Sequence, residues 1–319
     1  AYNPYNVARN EIMRADGTIN PNARLIYSPE DLDWTHDMMQ VGDRKEYNIL
    51  YSGGTAKSDF FVSAGYLNEN GYLIKTDFER LTGRLNVNTQ ATDWFRTGLN
   101  LAANVSFSQT ARDDSSTGYV NPFFFSRGIG PIYPVYAQEP LTGKYLLNED
   151  GTKIWDLGNM APLGLPFRPA GAHSGRHVLA ETLLNEGEFR RNVISARTFG
   201  EVKFLKHFTF TMNVSMDINS YNHKGFDNTV VGDGAPAGRA RRTSTQTTTL
   251  NFNQLLNYNR NFGLHSVDLL LGHENYDWTY DYFYGFRQNI VLEGNYELIN
   301  FTTTNSLTSY QNKYRNEGY

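Results

Sequence analysis

The chain has no cysteine among its 319 residues, so disulfide staples and cysteine-based metal sites are excluded. Neither sign of charge is in excess, with 29 Lys and Arg against 33 Asp and Glu. That balance gives no electrostatic case for nucleic acid as a partner. Long apolar runs are also missing, and none approaches the roughly 20 residues of a transmembrane helix. A mean hydropathy of −0.53 reads, taken alone, as a soluble protein. For strands that reading is unsafe, because a barrel strand averages an oily face with a wet one. Lysine is sparse, whereas Asn, Thr and Gly are plentiful and aromatics make up 14% of the chain. The length allows one large domain or two ordinary ones, although β-barrels run longer than most single domains. The chain opens at Ala1 without an initiator Met or secretory signal, which reads as a processed form or a piece of something longer.

What is present is alternation. In FTFTMNVSMDIN, Phe208, Phe210, Met212, Val214 and Met216 share one parity. Thr209, Thr211, Asn213, Ser215 and Asp217 share the other. Successive strand side chains point to opposite faces, so this stretch reads as a strand with one oily and one wet face. An ordinary strand has about 5–6 residues, and this one is far longer. The same texture recurs. Leu81, Gly83, Leu85 and Val87 alternate with Arg84, Asn86 and Asn88. Leu99, Leu101, Ala103, Val105 and Phe107 alternate with Asn100, Asn104, Ser106 and Ser108.

Residues 1–44 read as an irregular or short-helical lead-in, with turn formers in DGTINPN and Ser28 as a helix N-cap in SPEDLDW. Residues 45–319 read as a run of long strands interrupted by a long loop over residues 109–186. In order, the connections run short, long, short, very long, short, long, short and long. The last is a loop that carries the chain to its end. In an antiparallel run, alternate connections fall at opposite ends, so every tight turn lies on one side and every long loop on the other. Outer-membrane barrels sort their connections in this way. The fold class expected is therefore all-β: an antiparallel transmembrane β-barrel, present as an arc of about eight long strands. On this reading Phe208, Phe210, Met212, Val214 and Met216 face lipid. Arg84, Asn86, Asn104, Thr209, Thr211, Asn213 and Asp217 face a wet lumen.

The run YDWTYDYFYGF puts Tyr276, Trp278, Tyr280, Tyr282, Tyr284 and Phe286 on one face, near the loop side. Aromatics concentrate at membrane interfaces, so the run reads as an outer girdle. Upstream, Val267, Leu269 and Leu271 have the other parity. The girdle therefore needs a β-bulge between Gly272 and Asn275, and without one the aromatics point inward.

Several segments together resemble the SusC/RagA family of TonB-dependent outer-membrane transporters. They are Asp33-Trp34, the strand ending Ser52-Gly53-Gly54, the hairpin Tyr66-Leu67-Asn68-Glu69-Asn70-Gly71 and the strand closing on Arg84-Leu85-Asn86. PIYPVY, GKYLLNEDG, YDWTYD and LTSYQNKYRNEGY fit as well, the last resembling the segment that leads into a further strand. The resemblance covers nearly the whole chain. It implies a plugged barrel of about 22 strands, of which this chain is an internal arc lacking the plug, the TonB-contacting segment and the terminal strand. It further implies import of oligosaccharides or peptides across the outer membrane of a Bacteroidota-like Gram-negative cell. A SusD-like surface lipoprotein would be the partner, the TonB complex the drive and outer-membrane lipid the surroundings.

No cofactor, metal or catalytic constellation is expected. His173 and His177 form H-x-x-x-H, but in a Gly/Pro-rich loop and without a Glu between them, which reads as loop rather than a zinc site. NEDGTKIWD reads as an Asp-Gly turn rather than a calcium loop. The basic run from Gly238 to Arg242 reads as a solvated strand mouth, with phosphate or an acidic partner as the alternative. Phe123, Phe124, Phe125 and Arg127 are candidates for contact with ligand or lid, against simple packing of loop on loop. The wet-face residues serve either cargo or, more naturally, the plug. Two rival architectures are a plug-free porin or adhesin barrel and a soluble glycan-binding or glycan-degrading β protein.

Overall fold

The computed structural model describes residues 3–110, 121–140, 142–165 and 167–319. Nine strands form one sheet in the order of the sequence, each antiparallel to the next. They are β1 (Asp43–Gly54), β2 (Ser58–Asn70), β3 (Asp77–Thr92), β4 (Phe95–Gln109), β5 (Glu186–Phe204), β6 (Phe208–Asp227), β7 (Arg239–Phe262), β8 (His265–Ile290) and β9 (Phe301–Gly318). Two short helices, α1 (Pro122–Ile129) and α2 (Val178–Leu184), lie between β4 and β5. The strands lengthen from 12 residues in β1 to 26 in β8. At about 3.3 Å per residue, β8 extends roughly 85 Å.

Short and long connections alternate as the sequence indicates, and the tight turns gather at one end. The final loop is brief, however. It ends in a 3-10 turn at Leu298–Asn300, and the rest of the chain pairs with β8 as β9. The polar, Tyr-rich run from Phe301 to Gly318 has little apolar alternation, which hid this strand from pattern reading.

The register makes the two faces continuous across the sheet. One row of directly opposed residues runs Tyr51, Val62, Leu85, Leu101, Ala196, Met216, Leu250. Directly opposed side chains project to one side, so these seven share a face. The adjacent row runs Ser63, Arg84, Ala102, Ser195, Asp217, Thr249 on the other face. The apolar face has no protein layer against it among the described residues. Met212 keeps 39% of its surface exposed, and Leu250 keeps 45%.

Burial is concentrated at the loop end. Trp34, Met38, Phe125, Ile129, Val135, Val178 and Leu179 form a small core joining the lead-in segment to the long loop. The Trp34 indole N–H donates to the Tyr133 carbonyl at 2.9 Å, so its polar edge is satisfied inside this core. Around it, Tyr145 donates to Asp31 at 2.8 Å and Tyr136 donates to Asp37 at 2.9 Å. A second cluster packs Phe226, Ala240 and Phe301, with Tyr296 stacked on Phe226 at 3.8 Å between ring centroids.

Replacing a large buried aromatic by alanine costs about 3–5 kcal/mol, comparable to all the stability a small loop core holds. Trp34→Ala is therefore expected to open the loop without unfolding the sheet. In limited proteolysis of the full-length protein in detergent, new cleavage should appear within residues 121–185 while the strands stay protected. Unchanged cleavage would show that Trp34 does not hold the loop.

Candidate functional site

The polar face is the natural place to look for function, because hydrogen-bonding side chains converge there. Arg84, Asn86, Asn104, Thr209, Thr211, Asn213 and Asp217 all lie on it, opposite in parity to Phe208, Phe210, Met212, Val214 and Met216. Many of its groups bond across strands. Ser195 donates to Asp217, and the Arg197 guanidinium approaches Asp217 at 3.9 Å. Arg191 donates to Asn219 at 3.0 Å, and Asn213 to Asn253 at 3.2 Å. A depression of about 800 Å³ opens on this face, with Arg80, Asn104, Arg191, Asn219 and Tyr221 among its lining. Arg191, Arg197 and Tyr221 escaped sequence reading because β5 and the upper part of β6 alternate less regularly than the stretch below them.

The aromatic run corrects the expectation of an outer girdle. Pairing between β7 and β8 runs without a shift from Arg239 opposite Gln288 to Phe262 opposite His265. The bulge needed between Gly272 and Asn275 is therefore absent. Trp278 stands opposite Thr249, Tyr280 opposite Thr247 and Tyr282 opposite Thr245. Tyr276 and Tyr284 follow the same parity, so the whole run belongs to the polar face. From β9, Tyr310 pairs with Tyr282 and Tyr314 with Trp278. The signal was available in the hairpin turn: once Phe262 faces His265, parity alone assigns every residue above it.

The rings form a shelf. Trp278 and Tyr280 are 5.9 Å apart between centroids with planes 2° from parallel, and Tyr280 and Tyr282 follow at 6.4 Å. Tyr282 meets Tyr310 at 4.9 Å. The opposite face of the same strands carries Asp277, Asp281 and Arg315, with Arg315 donating to Asp277 at 2.5 Å.

The loop candidates divide. Asn121 caps α1 by accepting from the Phe123 and Phe124 backbone N–H groups, which turns the Phe triplet into a helix start. Phe125 is fully buried against Trp34 and His173, so it packs the loop and cannot contact a ligand. Phe123 stays 41% exposed and Arg127 is exposed, while Phe124 packs near His173. Within NEDGTKIWD, Asp150 accepts from the Thr152 backbone and hydroxyl, and Leu147 bridges Lys153 in a small hairpin. Of the basic run, Arg241 pairs with Asp227 at 3.2 Å and Arg242 with Glu297 at 3.4 Å. Arg241 thus ties β7 to the end of β6, and Arg242 fastens β7 to the loop that precedes β9.

His177 caps α2: its Nδ1 accepts from the Ala180 N–H, and its Nε2 donates to the Val135 carbonyl at 2.8 Å. Complete burial drives its pKa from the ordinary 6.5 down to about 3. The folded loop therefore holds a neutral ring that an unfolded loop would protonate. Since the unfolded state binds more protons, stability is full above 6.5 and falls as the pH drops below it, by about 1.4 kcal/mol per pH unit. Glu181 works the other way, because burial raises its carboxyl even with Arg176 at 2.7 Å, and buried Asp156 beside Arg168 is raised too. We expect the protection factors of residues 121–140 and 175–185, that is, exchange corrected for its intrinsic pH dependence, to fall between pH 7 and 5.5. His177→Asn, which keeps an acceptor for the cap, should flatten that dependence. An equal pH response in both proteins would exclude His177 as its source.

Two curated relatives align with most of the chain. It is 26% identical over 250 residues to TonB-dependent receptor P3 of Formosa agariphila, an alignment covering 78% of this chain and 23% of that receptor. It is 22% identical over 249 residues to TonB-dependent receptor SusC of Bacteroides thetaiotaomicron, covering 76% and 24%. No family model matches. The fold is shared with the RagAB peptide transporter, at a TM-score of 0.65 and 18% identity over 89% of this chain and 30% of that one. The RagAB peptide importer in its open-open state gives 0.60 at 17%, over 89% and 29%. The chain thus spans about a quarter of the curated relatives it matches. In its long strands in unbroken antiparallel order, its similarity to two receptors in sequence and its RagAB fold, the chain is similar to a SusC/RagA-type segment of a TonB-dependent receptor barrel.

Proposed function

We propose that this chain is part of the wall of an outer-membrane importer, with its apolar face in lipid and its polar face lining the passage. The observation that carries this is the uncovered apolar row from Tyr51 to Leu250, continuous over seven strands. In water such a surface is an aggregation liability; in hydrocarbon it needs no protein partner.

The change of character at β8 supports the same reading. Barrel strands tilt by about 35–45°, so a row perpendicular to them climbs relative to the membrane. The row of Met216 and Leu250 reaches Asp277 in β8, while Leu269 and Leu271 sit lower, opposite Tyr258 and Leu256. The lipid band thus drifts down the ladder. The upper part of β8 then stands outside the membrane.

Residues 45–319 would form the wall, with residues 1–44 leading in and docking on the long loop. The cargo class is an oligomeric nutrient, glycan or peptide, moved without bond chemistry and driven through TonB. A SusD-like lipoprotein would close over the loop side, where Phe123 and Arg127 remain exposed to meet it. The setting is the outer membrane of a Bacteroidota-like Gram-negative cell.

A charge on the lipid face of a barrel costs about 2–4 kcal/mol at the bilayer midplane. Met212→Arg should therefore sharply reduce the folded, heat-modifiable fraction of the full-length protein in bilayers. Asn213→Arg, one residue away on the other face, should be tolerated. Equal tolerance of both would overturn the assignment of faces.

A further inference from the structure

We infer that the aromatic shelf on β8 and β9 is a stacking site for an uncharged oligosaccharide. The inference rests on the polar face being the wall of the passage, and it goes further by choosing between glycan and peptide at one place on that wall.

The first argument is ring geometry. Aromatic faces in full contact lie about 3.5–4.0 Å apart, and Phe226 on Tyr296 reaches 3.8 Å. Trp278 and Tyr280 are as nearly parallel but 5.9 Å apart, and Tyr280 and Tyr282 are 6.4 Å apart. Such rings are offset or separated, and each leaves part of its face uncovered. Strand pairing holds them in a line and adds Tyr310 alongside. Sugar rings present C–H-rich faces to such surfaces. A linear array suits a chain of repeating rings better than a single small molecule.

The second argument is charge. Directly opposed neighbours of the shelf on its own face are Thr245, Thr247 and Thr249 on β7 and Asn312 on β9. All are neutral hydrogen-bonding groups, able to donate and accept as sugar hydroxyls do. The charged residues of these strands, Asp277, Asp281, Lys313 and Arg315, stand on the opposite face. On β7 and β8, charge on the shelf's face returns beyond its ends, at Glu274 below and Arg241 above, and Asp217, a strand further along the Trp278 row, is already engaged by Ser195 and Arg197. A peptide would bring charged termini and side chains with no counter-charge among the shelf's directly opposed neighbours. A polyol brings what this surface can satisfy.

The test uses the full-length receptor purified in detergent. One probe is the uncharged fraction of partially hydrolysed plant and algal cell-wall glycans, and the other is a tryptic digest of casein. Oligomers retained in equilibrium dialysis are identified by mass spectrometry. Retention of uncharged oligosaccharides is expected, with about a tenfold loss of affinity for Trp278→Ala or Tyr282→Ala. Trp278→Phe, which keeps a ring face, should retain most of the binding. Heat-modifiable mobility confirms that each variant is folded, and a variant that does not fold is replaced by Tyr280→Leu. Retention of peptides alone, retention of neither probe, or glycan binding indifferent to all these changes each overturns the inference. The import reading is judged separately by the Met212→Arg and Asn213→Arg pair. If that pair behaves as expected while the shelf variants do not, only the choice of cargo falls.

Discussion

The structure depends on one constraint: every backbone N–H and C=O in the sheet must find its partner on the neighbouring strand. In a hydrocarbon setting there is no water to substitute for a missing bond. Between neighbouring strands the ladder obeys this from β1 to β9, whose outer edges are left open, and among the described residues its register shifts lie near strand ends, between Gln90 and Thr92 and between Phe286 and Arg287. Because strand side chains alternate with period two, a slip of one residue would exchange the faces. Met216 would then point where Asp217 now points. The unbroken register thus separates oil from water across the sheet, and it also carries the aromatic shelf to the wet side.

Two kinds of stabilisation divide the molecule. Among the described residues the sheet has no apolar layer packed on it, and it depends on its surroundings to cover Met212, Leu250 and their neighbours. The loop end instead builds a conventional core around Trp34 and Phe125, with the Trp34 indole N–H met by a carbonyl from a distant part of the chain. Buried packing is therefore concentrated at the rim.

Much of this was legible from residue parity and turn chemistry. The long strands, the sorting of short and long connections and the faces of Phe208, Arg84 and Asn104 all follow from alternation. The rest was hidden for specific physical reasons. The strand from Phe301 to Gly318 lacks an apolar stripe because its inward residues are Tyr, Asn and Thr and its outward ones largely polar. Tyr276 to Tyr284 have the composition of an interfacial girdle, but strand register is the stricter rule and turns them to the other face. Phe125 looked like a loop aromatic because nothing local reveals that Trp34 waits for it. The notion of His177 as a metal ligand dissolves in the same core, where both ring nitrogens are engaged.

The clasp between the lead-in segment and the long loop bears on the order of assembly. Ninety-nine residues separate Trp34 from Tyr133, whose carbonyl it meets. Closing so wide a span is entropically unfavourable until intervening hairpins have shortened it. β1 to β4 lie within that span, each paired with its sequence neighbour through local turns. The hairpins can therefore zip first and bring the two halves of the clasp within reach. Formation of the clasp then marks the point at which this part of the wall has been built in register, because a slipped strand would carry Trp34 away from its partners.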